Sequence, residues 1–288
     1  MLDILRLPWP FSSRAVRSTL LELLRIEYDP PREPTDLYPG GAKSLCTISI
    51  DFDHITKSPN STDEHWFPLA REDRLTQNRI GTRALIDLCE RYDIPMMWAI
   101  AGSTAEADFV SYESILKSSI HHEVGVHTYA HIDVSSSSEE ELLSDLQKCL
   151  AILNLKMKPT TFVFPWNRMG NFDLLEEMGF KAFRSQRRAI RTPLKKDRMW
   201  DFSPVYYVDT NSISSAKLIC KYIDLCVSSH SVFHLWSHPW SIVQGDSARA
   251  MSENLLAPVF QHIKELRDSG KLSVLTMGAI AGFLESRN

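Results

Sequence analysis

The sequence predicts an α/β fold in which parallel strands alternate with helices. From about residue 44 onward, β-branched and apolar segments alternate with segments of helical periodicity. Aspartate and histidine residues follow three of the strand-like segments, and α/β folds collect their functional groups at such strand ends. The chain has 288 residues, of which 43% are hydrophobic and 24% charged. Single-domain barrels of alternating strands and helices run to about 250 residues.

The elements are assigned in order along the chain. Residues 45–50 form a β-branched apolar run that predicts the first strand. Residues 76–92 are predicted to form a helix, because apolar residues recur there at helical spacing. A serine run before Glu139 caps a helix that extends to about Leu153, and Gly179 ends a shorter helix. Further strands are predicted at 95–100, 123–127, 161–164, 180–183, from 232, and at 272–275, and further helices at 111–119, 173–178, 216–227 and 248–268.

Two histidines four residues apart, His127 and His131, follow a short strand-like run. On an extended strand they would lie roughly 13 Å apart, too far to share an ion bound at about 2.0–2.1 Å. On a helical turn the same spacing is about 6 Å along the axis, with both side chains on one face. We therefore predict a metal-binding pair where a strand end turns into a helix. Solvated or hydrogen-bonded histidines at this spacing are the alternative.

Asp51 and Asp53 stand two residues apart at the end of the first strand. Their side chains therefore face the same way, roughly 7 Å apart. Two carboxylates that are buried together need a cation, unless the strand end is solvated. One carboxylate and two imidazoles form the facial set that holds zinc, iron, cobalt or manganese and leaves positions open for water. The pattern predicts one ligating aspartate with an unligated one beside it.

A third group of histidines, His234 and His238, lies in and after the strand-like run that starts at Val232. Metal-assisted hydrolysis of an amide needs a base that activates water and an acid that protonates the leaving nitrogen. His238, at the strand end, is the candidate acid, and an ordinary loop histidine before a proline is the alternative. His234 is the rival candidate, and a structural hydrogen bond inside the strand explains it equally.

The order of these motifs resembles the polysaccharide deacetylases of the NodB type, carbohydrate esterase family four, over about residues 44–283. The resemblance implies an irregular, distorted parallel β/α barrel. It also implies that Asp51 is the general base, that Asp53, His127 and His131 bind the metal, and that His238 is the general acid. The implied cofactor is a divalent metal, zinc first, with cobalt, manganese, iron or nickel as alternatives.

A Pro-Trp loop in this chain resembles the third motif of that family, which forms a wall of the active-site groove. Pro165, Trp166 and Arg168 are therefore expected to bind substrate, together with Trp240. Tryptophan stacks on sugar rings, but it fills protein cores as well. Many members carry an arginine in this motif that orients the base. Val163 stands at that place here, and Arg168 is the candidate replacement.

Other motifs depart from the family pattern. The fourth motif has an aspartate before a tryptophan that tunes the acidic histidine, whereas this chain has Trp200-Asp201 in reversed order. Asp201 is nevertheless the candidate for that role. The first motif has one residue between its aspartates, as in a branch that includes peptidoglycan deacetylase-like and allantoinase-like members. The run from His234 to Pro239 resembles deacetylase-like proteins of surface-polysaccharide assembly.

Composition argues against several other classes of protein. The formal net charge is −4, with basic and acidic residues interspersed, so no basic face indicates nucleic acid. The five cysteines are scattered among apolar residues without the spacing of zinc or redox sites, which predicts core packing. Charges and prolines interrupt the first residues. We therefore expect neither a secretory signal nor a membrane span, and we expect a cytoplasmic protein.

Residues 1–40 are predicted to be an N-terminal amphipathic helix and an extended linker, followed by the barrel at 41–288. The helix, at 13–27, carries an apolar stripe with arginines nearby. One interpretation is that it packs against the barrel. The other is peripheral contact with the cytoplasmic face of a membrane, beside a lipid-linked sugar.

Two loops have predicted functions. Segment 55–74 has no clear periodicity and follows Asp53, so we expect a lid or substrate loop. The basic residues between 184 and 198 are expected in a loop that is either solvated or contacts phosphate or uronate on the substrate. Four more histidines are interpreted as loop or exposed residues rather than ligands: His54, His65, His121 and His122.

Together the motifs predict a metal-dependent hydrolase that removes an N-acyl group, above all N-acetyl, from an amino sugar. The sugar would belong to a polysaccharide or its lipid-linked precursor. The rival hypotheses are a deformylase or an allantoinase-like amide hydrolase on the same scaffold, a non-catalytic glycan-binding protein, and a purely structural metal site. A carbohydrate is the expected partner, and the sequence carries no signal for the oligomeric state.

Overall fold

The computed structural model of the chain describes residues 26–31, 38–54, 71–210, 215–244 and 247–287. The main helices are α1 (Arg71–Tyr92), α2 (Gly102–Ala107), α3 (Phe109–Leu116), α4 (Glu139–Leu153), α5 (Phe172–Glu177), α6 (Ala216–Ser228), α7 (Ala257–Asp268) and α8 (Met277–Glu285). A short helix, Arg249–Met251, and a π-helical turn, Ser252–Leu256, lead directly into α7, and 3-10 turns lie at Pro165–Asn167 and Trp240–Ile242. The strands are β1 (Glu27–Asp29), β2 (Leu45–Phe52), β3 (Met97–Ile100), β4 (Glu123–Val126), β5 (Thr161–Val163), β6 (Ala182–Arg184), β7 (Ala189–Arg191), β8 (Leu194–Lys196), β9 (Met199–Phe202), β10 (Tyr206–Val208), β11 (Val232–Ser237) and β12 (Ser273–Val274).

Most of these strands form one curled sheet, in the order β10-β11-β2-β3-β4-β5-β6-β9-β8, with β12 beside β2. Every pairing in it is parallel except that of β8 with β9. Around the sheet, the parallel strands β2, β3, β4, β5, β6, β9, β10 and β11 follow chain order and return to β2, as in a β/α barrel. Among the described residues β9 and β10 do not pair, so the barrel is irregular. The predicted fold class is confirmed.

Alternation along β2 separates the core from the barrel interior, because successive side chains of a strand face opposite ways. The outward set packs in the large core against the helices: Cys46, Ile48, Ile50 and Phe52. The inward set begins with the apolar Leu45 and continues through Thr47 and Ser49 to Asp51, all of them buried. The interior of the barrel therefore becomes polar toward the carboxyl ends of the strands.

Helix α8 packs against the other end of the barrel. Its buried residues share a cluster with the first inward residues of three strands: Met277, Ile280, Ala281, Leu45, Met97 and Val232. Glu123, at the start of β4, accepts a hydrogen bond of 2.8 Å from the backbone N–H of Gly278 in the first turn of α8. A carboxylate at this position complements the helix dipole. With this end packed, the carboxyl ends of the strands are left for a site.

The segment before the barrel is only partly described. Residues 1–25 and 32–37 of the predicted helix and linker lie outside the described residues. The predicted helix extended to Glu27, which is wrong at that end, because Glu27–Asp29 is a strand that pairs in parallel with Ala189–Arg191. Ile26 is buried in the large core. No helix in the described ranges is long and apolar enough to cross a membrane.

The basic run between residues 184 and 198 is not the loop that the sequence predicts. It contains the last residue of β6 and the strands β7 and β8, and most of its arginines have specific partners. Arg191 pairs with Asp201 at 2.7 Å, and Arg198 pairs with Glu176 at 2.7 Å. Alternation of small and apolar residues with arginine was the overlooked strand signal.

Candidate metal centre and active site

Five side chains converge at the carboxyl ends of the parallel strands. Asp51 is the penultimate residue of β2, and Asp53 directly follows that strand. His127 and His131 follow β4, and His238 follows β11. The first four are at most 5% exposed. Parallel strands bring their carboxyl ends to one edge, so residues far apart in the chain come together here.

Asp53, His127 and His131 form the one cluster of metal-ligand type found in the described part of the chain, with donor atoms within 4.8 Å of one another. The Nε2 atoms of His127 and His131 lie 3.7 and 3.6 Å from Oδ2 of Asp53. These separations are too long for hydrogen bonds. Donors bound at about 2.0–2.1 Å to a tetrahedral ion lie about 3.4 Å apart. The spacing therefore fits three ligands around one cation.

The hydrogen bonding of His127 also fits metal binding. Its Nδ1 lies 2.7 Å from the backbone carbonyl oxygen of Val163, and only a protonated nitrogen can donate to that acceptor. In the neutral ring the proton is therefore on Nδ1, and the lone pair of Nε2 points toward Asp53. Metal-ligating histidines are commonly oriented in this way.

His131 is held by ring packing instead of a hydrogen bond. Its Nδ1 is buried and has no hydrogen-bond partner among the described residues. The ring lies edge-to-face on Trp166, with centroids 4.5 Å apart. Burial and the neighbouring His127 lower the pKa of His131 to about 3. The imidazole is therefore neutral near pH 7, as a metal ligand must be.

The predicted helical turn between the two histidines is wrong. The segment is an irregular loop, in which Thr128 and His131 have φ values of 58° and 55°. A β-branched residue rarely adopts this left-handed conformation. The loop carbonyl of Thr128 accepts a hydrogen bond from the backbone N–H of Gly102 at 3.0 Å. With these two left-handed residues, the loop brings the imidazole ring centroids to 4.7 Å from each other.

Two hydrogen bonds fix the position of Asp53. The side-chain amide of Asn78 in α1 donates to its backbone carbonyl at 2.6 Å. The indole N–H of Trp240 donates to Oδ1 at 3.3 Å, which leaves Oδ2 toward the histidines. Burial alone would raise the pKa of Asp53, but the facing His238, His127 and His131 outweigh it and lower the pKa below the ordinary value. The carboxylate is therefore ionised.

Asp51 is held by an arginine that the sequence reasoning missed. Both Nη atoms of Arg184 donate to the Asp51 carboxylate, at 2.6 and 2.5 Å, and the Arg184 side chain is 1% exposed. Burial would raise the pKa of Asp51, but the guanidinium outweighs it and lowers the pKa. Arg184 on β6 pairs in register with Val163 on β5. The arginine that was sought at Val163 is thus supplied by the neighbouring strand.

Arg168 does not replace that arginine. Its guanidinium pairs with Asp133 at 2.5 Å and is 47% exposed. Pro165 is buried, and Trp166 has a φ of 58° and donates its indole N–H to the carbonyl of His131 at 3.3 Å. The Pro-Trp loop therefore lies against the His131 loop, where it forms a wall of the site.

His238 completes the group. Its Nε2 lies 3.6 Å from Oδ2 of Asp53 and 3.9 Å from Oδ2 of Asp51, and its ring stacks on Trp240 with centroids 4.4 Å apart. Burial lowers the pKa of His238, and the two carboxylates oppose that shift. The Nδ1 atom lies 3.2 Å from the hydroxyl of Tyr207. The candidate acid is thus oriented by a phenol.

Asp201 does not tune His238, because it faces Arg191 instead and forms an ion pair with it at 2.7 Å. Tyr207 takes that place, and its own ring packs on Trp236 with centroids 4.3 Å apart. The turn that carries His238 packs closely on α1, where a Cβ on Gly81 would lie 1.9 Å from the Pro239 carbonyl oxygen. Only glycine permits this approach.

None of the other four described histidines that the sequence analysis considered belongs to the candidate metal triad. His234 does not reach the cluster and is hydrogen-bonded to Ser49 through Nε2 at 2.8 Å. His54 is buried against the Thr104 hydroxyl at 2.7 Å, and His65 lies outside the described residues. His121 is exposed as predicted. The prediction for His122 is wrong, because this residue is buried and its Nδ1 accepts a backbone hydrogen bond.

Sequence comparison places this site in a known context. The family model for polysaccharide deacetylase matches residues 73–180, a span that contains both histidines of the candidate metal triad. The fold and the motif order agree with that match. Over residues 73–180 the chain is therefore similar to the polysaccharide deacetylases. No curated protein sequence shows significant similarity to it.

Solved structures share the fold of this chain at low sequence identity. A protein assigned as a polysaccharide deacetylase from Mycobacterium smegmatis superposes with a TM-score of 0.69 and 16% identity, over 90% of this chain and 96% of that one. The Puue allantoinase superposes with a TM-score of 0.64 and 13% identity, over 90% and 98%. A family-four pseudoenzyme from Bacillus anthracis superposes with a TM-score of 0.52 and 12% identity, over 86% and 69%.

Proposed function

We propose that this protein is a divalent-metal-dependent hydrolase that removes an N-acyl group, above all N-acetyl, from an amino sugar of a polysaccharide or its lipid-linked precursor. One observation carries the proposal. Three buried ligand-type side chains surround one point, and beside them lie an unligated ionised carboxylate and an imidazole. A closed structural site has no need of the last two groups.

Asp53, His127 and His131 would hold the ion, and their donor set of one oxygen and two nitrogens suits zinc first, then cobalt, manganese, iron or nickel. An ion held there would supply Lewis acidity toward the acyl oxygen and would make nearby water more acidic. The protein's own part is the arrangement of the ligands. The Val163 carbonyl and the Trp240 indole fix the directions in which His127 and Asp53 present their donors.

Asp51 would act as the general base. Its Oδ2 faces the same space as Nε2 of His238 and Oδ2 of Asp53, so a water molecule between them would have an ionised acceptor within reach. Arg184 keeps Asp51 ionised and fixes the carboxylate plane through two hydrogen bonds. Asp51 is thereby ready to take a proton from the attacking water.

His238 would deliver a proton from Nε2 to the departing amine nitrogen. Its ring plane is fixed by stacking on Trp240 and by the Tyr207 hydroxyl at Nδ1. Nε2 of His238 and Oδ2 of Asp51 lie 3.9 Å apart, so an acyl group bound beside them would have both the base and the acid within reach.

The sugar would lie between two walls. Trp240 and Trp166 are both half-buried, with polar edges turned to Asp53 and to the His131 carbonyl. The half-buried Trp166 ring offers a surface that a sugar ring can cover. The Trp240 ring stacks on His238 and has the Arg74 guanidinium carbon 3.9 Å from its centroid, so a sugar would meet its remaining exposed edge. Pro165 holds the Trp166 turn, while Arg168, through its pair with Asp133, ties this wall to the His131 loop. Of the predicted lid segment 55–74, residues 55–70 lie outside the described residues. Residues 71–74 are not loop, because they begin helix α1.

Two relatives in fold define the alternatives. A deformylase or allantoinase-like amide hydrolase would use the same side chains, and an allantoinase is among the structures of similar fold. A glycan-binding protein without turnover is the other alternative, because one relative in fold is a pseudoenzyme. Both alternatives keep the metal site and differ in what the site releases.

The decisive assay is acyl release by metal-loaded protein on matched substrates: free and lipid-linked N-acetylhexosamines, N-formyl sugars and allantoin. We expect acetate release, with the largest kcat/KM for an N-acetyl sugar. An Asp51→Asn variant should bind the metal and lose turnover, while an Asp53→Ala variant should lose both. Formate or ureide products would favour the other amide hydrolases. Glycan binding without any acyl release would favour the non-catalytic protein.

The cellular setting of the enzyme belongs to the same proposal. We propose that residues 41–288 form the catalytic barrel and that residues 1–40 bring it to the cytoplasmic face of a membrane, where a lipid-linked amino sugar would be presented. A preference for lipid-linked over free sugar in the assay, lost on removal of residues 1–25, would support this setting. Equal activity on both substrates would contradict it.

A further inference from the structure

A buried polar group lies directly beneath Asp51, on the interior face of the barrel. Arg184 extends from β6 to Asp51 on β2, although three strands separate β6 from β2 in the sheet. Its side chain therefore crosses the barrel interior. It passes the Trp236 ring, with Cζ 4.1 Å from the ring centroid, and its Nη1 also donates to the Ser49 hydroxyl at 3.2 Å.

Ser49 has a second partner. His234 lies on β11, the strand next to β2, and its Nε2 is 2.8 Å from the Ser49 hydroxyl oxygen. Ser49 and His234 are both 0% exposed. A fully buried hydrogen bond strongly constrains the orientation of the two groups that form it, because water cannot replace either partner.

We propose that Ser49 and His234 are positioning residues that set the orientation of the Arg184 guanidinium and, through it, of the Asp51 carboxylate. The inference rests on the proposed function, in which Asp51 is the base. Neither Ser49 nor His234 touches the reacting atoms in this proposal.

The hydrogen-bond directions support this chain of contacts. Arginine only donates, so the Ser49 oxygen accepts from Nη1. The single hydroxyl hydrogen of Ser49 is then free to be donated to Nε2 of His234, whose ring is neutral beside the guanidinium. In this arrangement His234 fixes the rotation of the hydroxyl, and the hydroxyl lone pair fixes Nη1. The contacts thus run in order from His234 through Ser49 and Arg184 to Asp51.

The two-point contact matters because Nη1 serves Ser49 and Asp51 together. Without Ser49, the guanidinium keeps its charge and its attraction to Asp51 but loses the contact that fixes its tilt. The carboxylate can then turn with it. A displacement of a catalytic group by about 1 Å can cost roughly a hundredfold in rate, so the loss should appear in kcat and leave substrate binding intact.

The chain offers a matched control. Thr47 lies two residues before Ser49 on the same inward face of β2, it is equally buried, and its hydroxyl has no hydrogen-bond partner among the described residues. Thr47→Val removes a buried hydroxyl from the same strand without touching Arg184. It separates loss of a hydroxyl in the barrel from loss of the positioning contact.

The test compares Ser49→Ala, His234→Leu, the double variant and Thr47→Val by kcat, KM and bound metal. We expect each single variant to lower kcat by roughly tenfold to a hundredfold, with unchanged KM and metal content. The double variant should be no worse than the worse single one, because both changes break the same chain of contacts. Ser49→Thr, which keeps the hydroxyl, should recover most of kcat.

A second measurement is independent of turnover. Crystal structures of the same variants should show at least one of the two Arg184–Asp51 hydrogen bonds lost in Ser49→Ala and His234→Leu, and both retained in Thr47→Val. Wild-type kcat in the folded variants, multiplicative effects in the double variant, or an unchanged Arg184–Asp51 pair would each overturn the inference. A displaced pair in a protein that hydrolyses no acyl group would support the positioning and overturn the proposed function alone.

Discussion

Replacement of Arg184 by methionine should destabilise the protein strongly, and a second substitution at Asp51 should restore most of the lost stability. Arg184→Met preserves much of the side-chain volume but removes the cation that faces Asp51. The Asp51 carboxylate is 4% exposed, so it would be left ionised without its main partner or would have to take up a proton. The cost is best measured in metal-free protein, where no bound cation can compensate.

The expected magnitude follows from the burial of the pair. Removing one partner of a buried, hydrogen-bonded ion pair costs about 3–5 kcal/mol, because an uncompensated charge remains. Two contacts of 2.6 and 2.5 Å are lost here, which places the change toward the upper part of that range. In the double variant Arg184→Met/Asp51→Asn the charge is absent, and we expect most of the loss to be recovered.

Urea unfolding of the apo protein, followed by circular dichroism, measures these differences. The control is Arg91→Met, which breaks a pair of the same bidentate geometry, Arg91 with Glu253 at 2.9 and 3.0 Å. That pair is about half exposed, and exposed pairs contribute little to stability. Equal effects of the two arginine substitutions, or no recovery with Asp51→Asn, would refute the reasoning.

Three further predictions test separate contacts. Burial lowers the pKa of His122 to about 4, so the unfolded state binds this proton more tightly. His122 alone should therefore lower the free energy of unfolding by about 2 kcal/mol from pH 7 to pH 5, and His122→Gln should lose that much less stability over this range; the same pH dependence of urea unfolding in both proteins would contradict this. Tyr207→Phe removes the hydroxyl that contacts Nδ1 of His238. It should lower kcat about fivefold at constant KM, which corresponds to the loss of a hydrogen bond of about 1 kcal/mol. An unchanged kcat would show that Tyr207 does not orient His238. Gly81→Ala should clash with the Pro239 carbonyl, lower the melting temperature and reduce kcat with metal retained; full activity would show that the turn adjusts freely.

The sequence predicts those parts of the fold that depend on local patterns. The alternation in Leu45–Phe52 and the helical period in Arg71–Tyr92 are strong, so these elements appear within a few residues of the predicted bounds. The capping box at Ser138 and Glu141 fixes the start of α4 as the serine run suggested. Strand ends then bring aspartates and histidines to one edge, because parallel strands share their direction.

The contacts that sequence reasoning missed are those that cross the barrel. Arg184 and Asp51 are 133 residues apart, on strands that are not neighbours, and no local pattern reports such a pair. The interior position of Arg184 was available from the alternation after Ala182, since both residues face inward. Long side chains that span a barrel interior require the closed sheet before their partners can be named.

Local conformation and charge pairing limited the remaining predictions. Histidine spacing suggested a helical turn, but the left-handed Thr128 and His131 bring the imidazoles together in a loop, and such residues carry no clear sequence signal. Arg168 was chosen because it follows Val163 by a few residues, yet its guanidinium pairs with Asp133. Side-chain partners in loops are decided by tertiary packing rather than by spacing.

The central claim is that Asp53, His127 and His131 together hold one divalent cation. Metal analysis of the purified protein, before and after loading with zinc and dialysis, tests it most directly against Asp53→Asn, His127→Ala, His131→Ala and the control Thr47→Val. We predict about one ion per chain in the wild type and the control and almost none in the three ligand variants. Wild-type protein that retains no divalent metal after loading, or ligand variants that retain as much as wild type, would contradict the account.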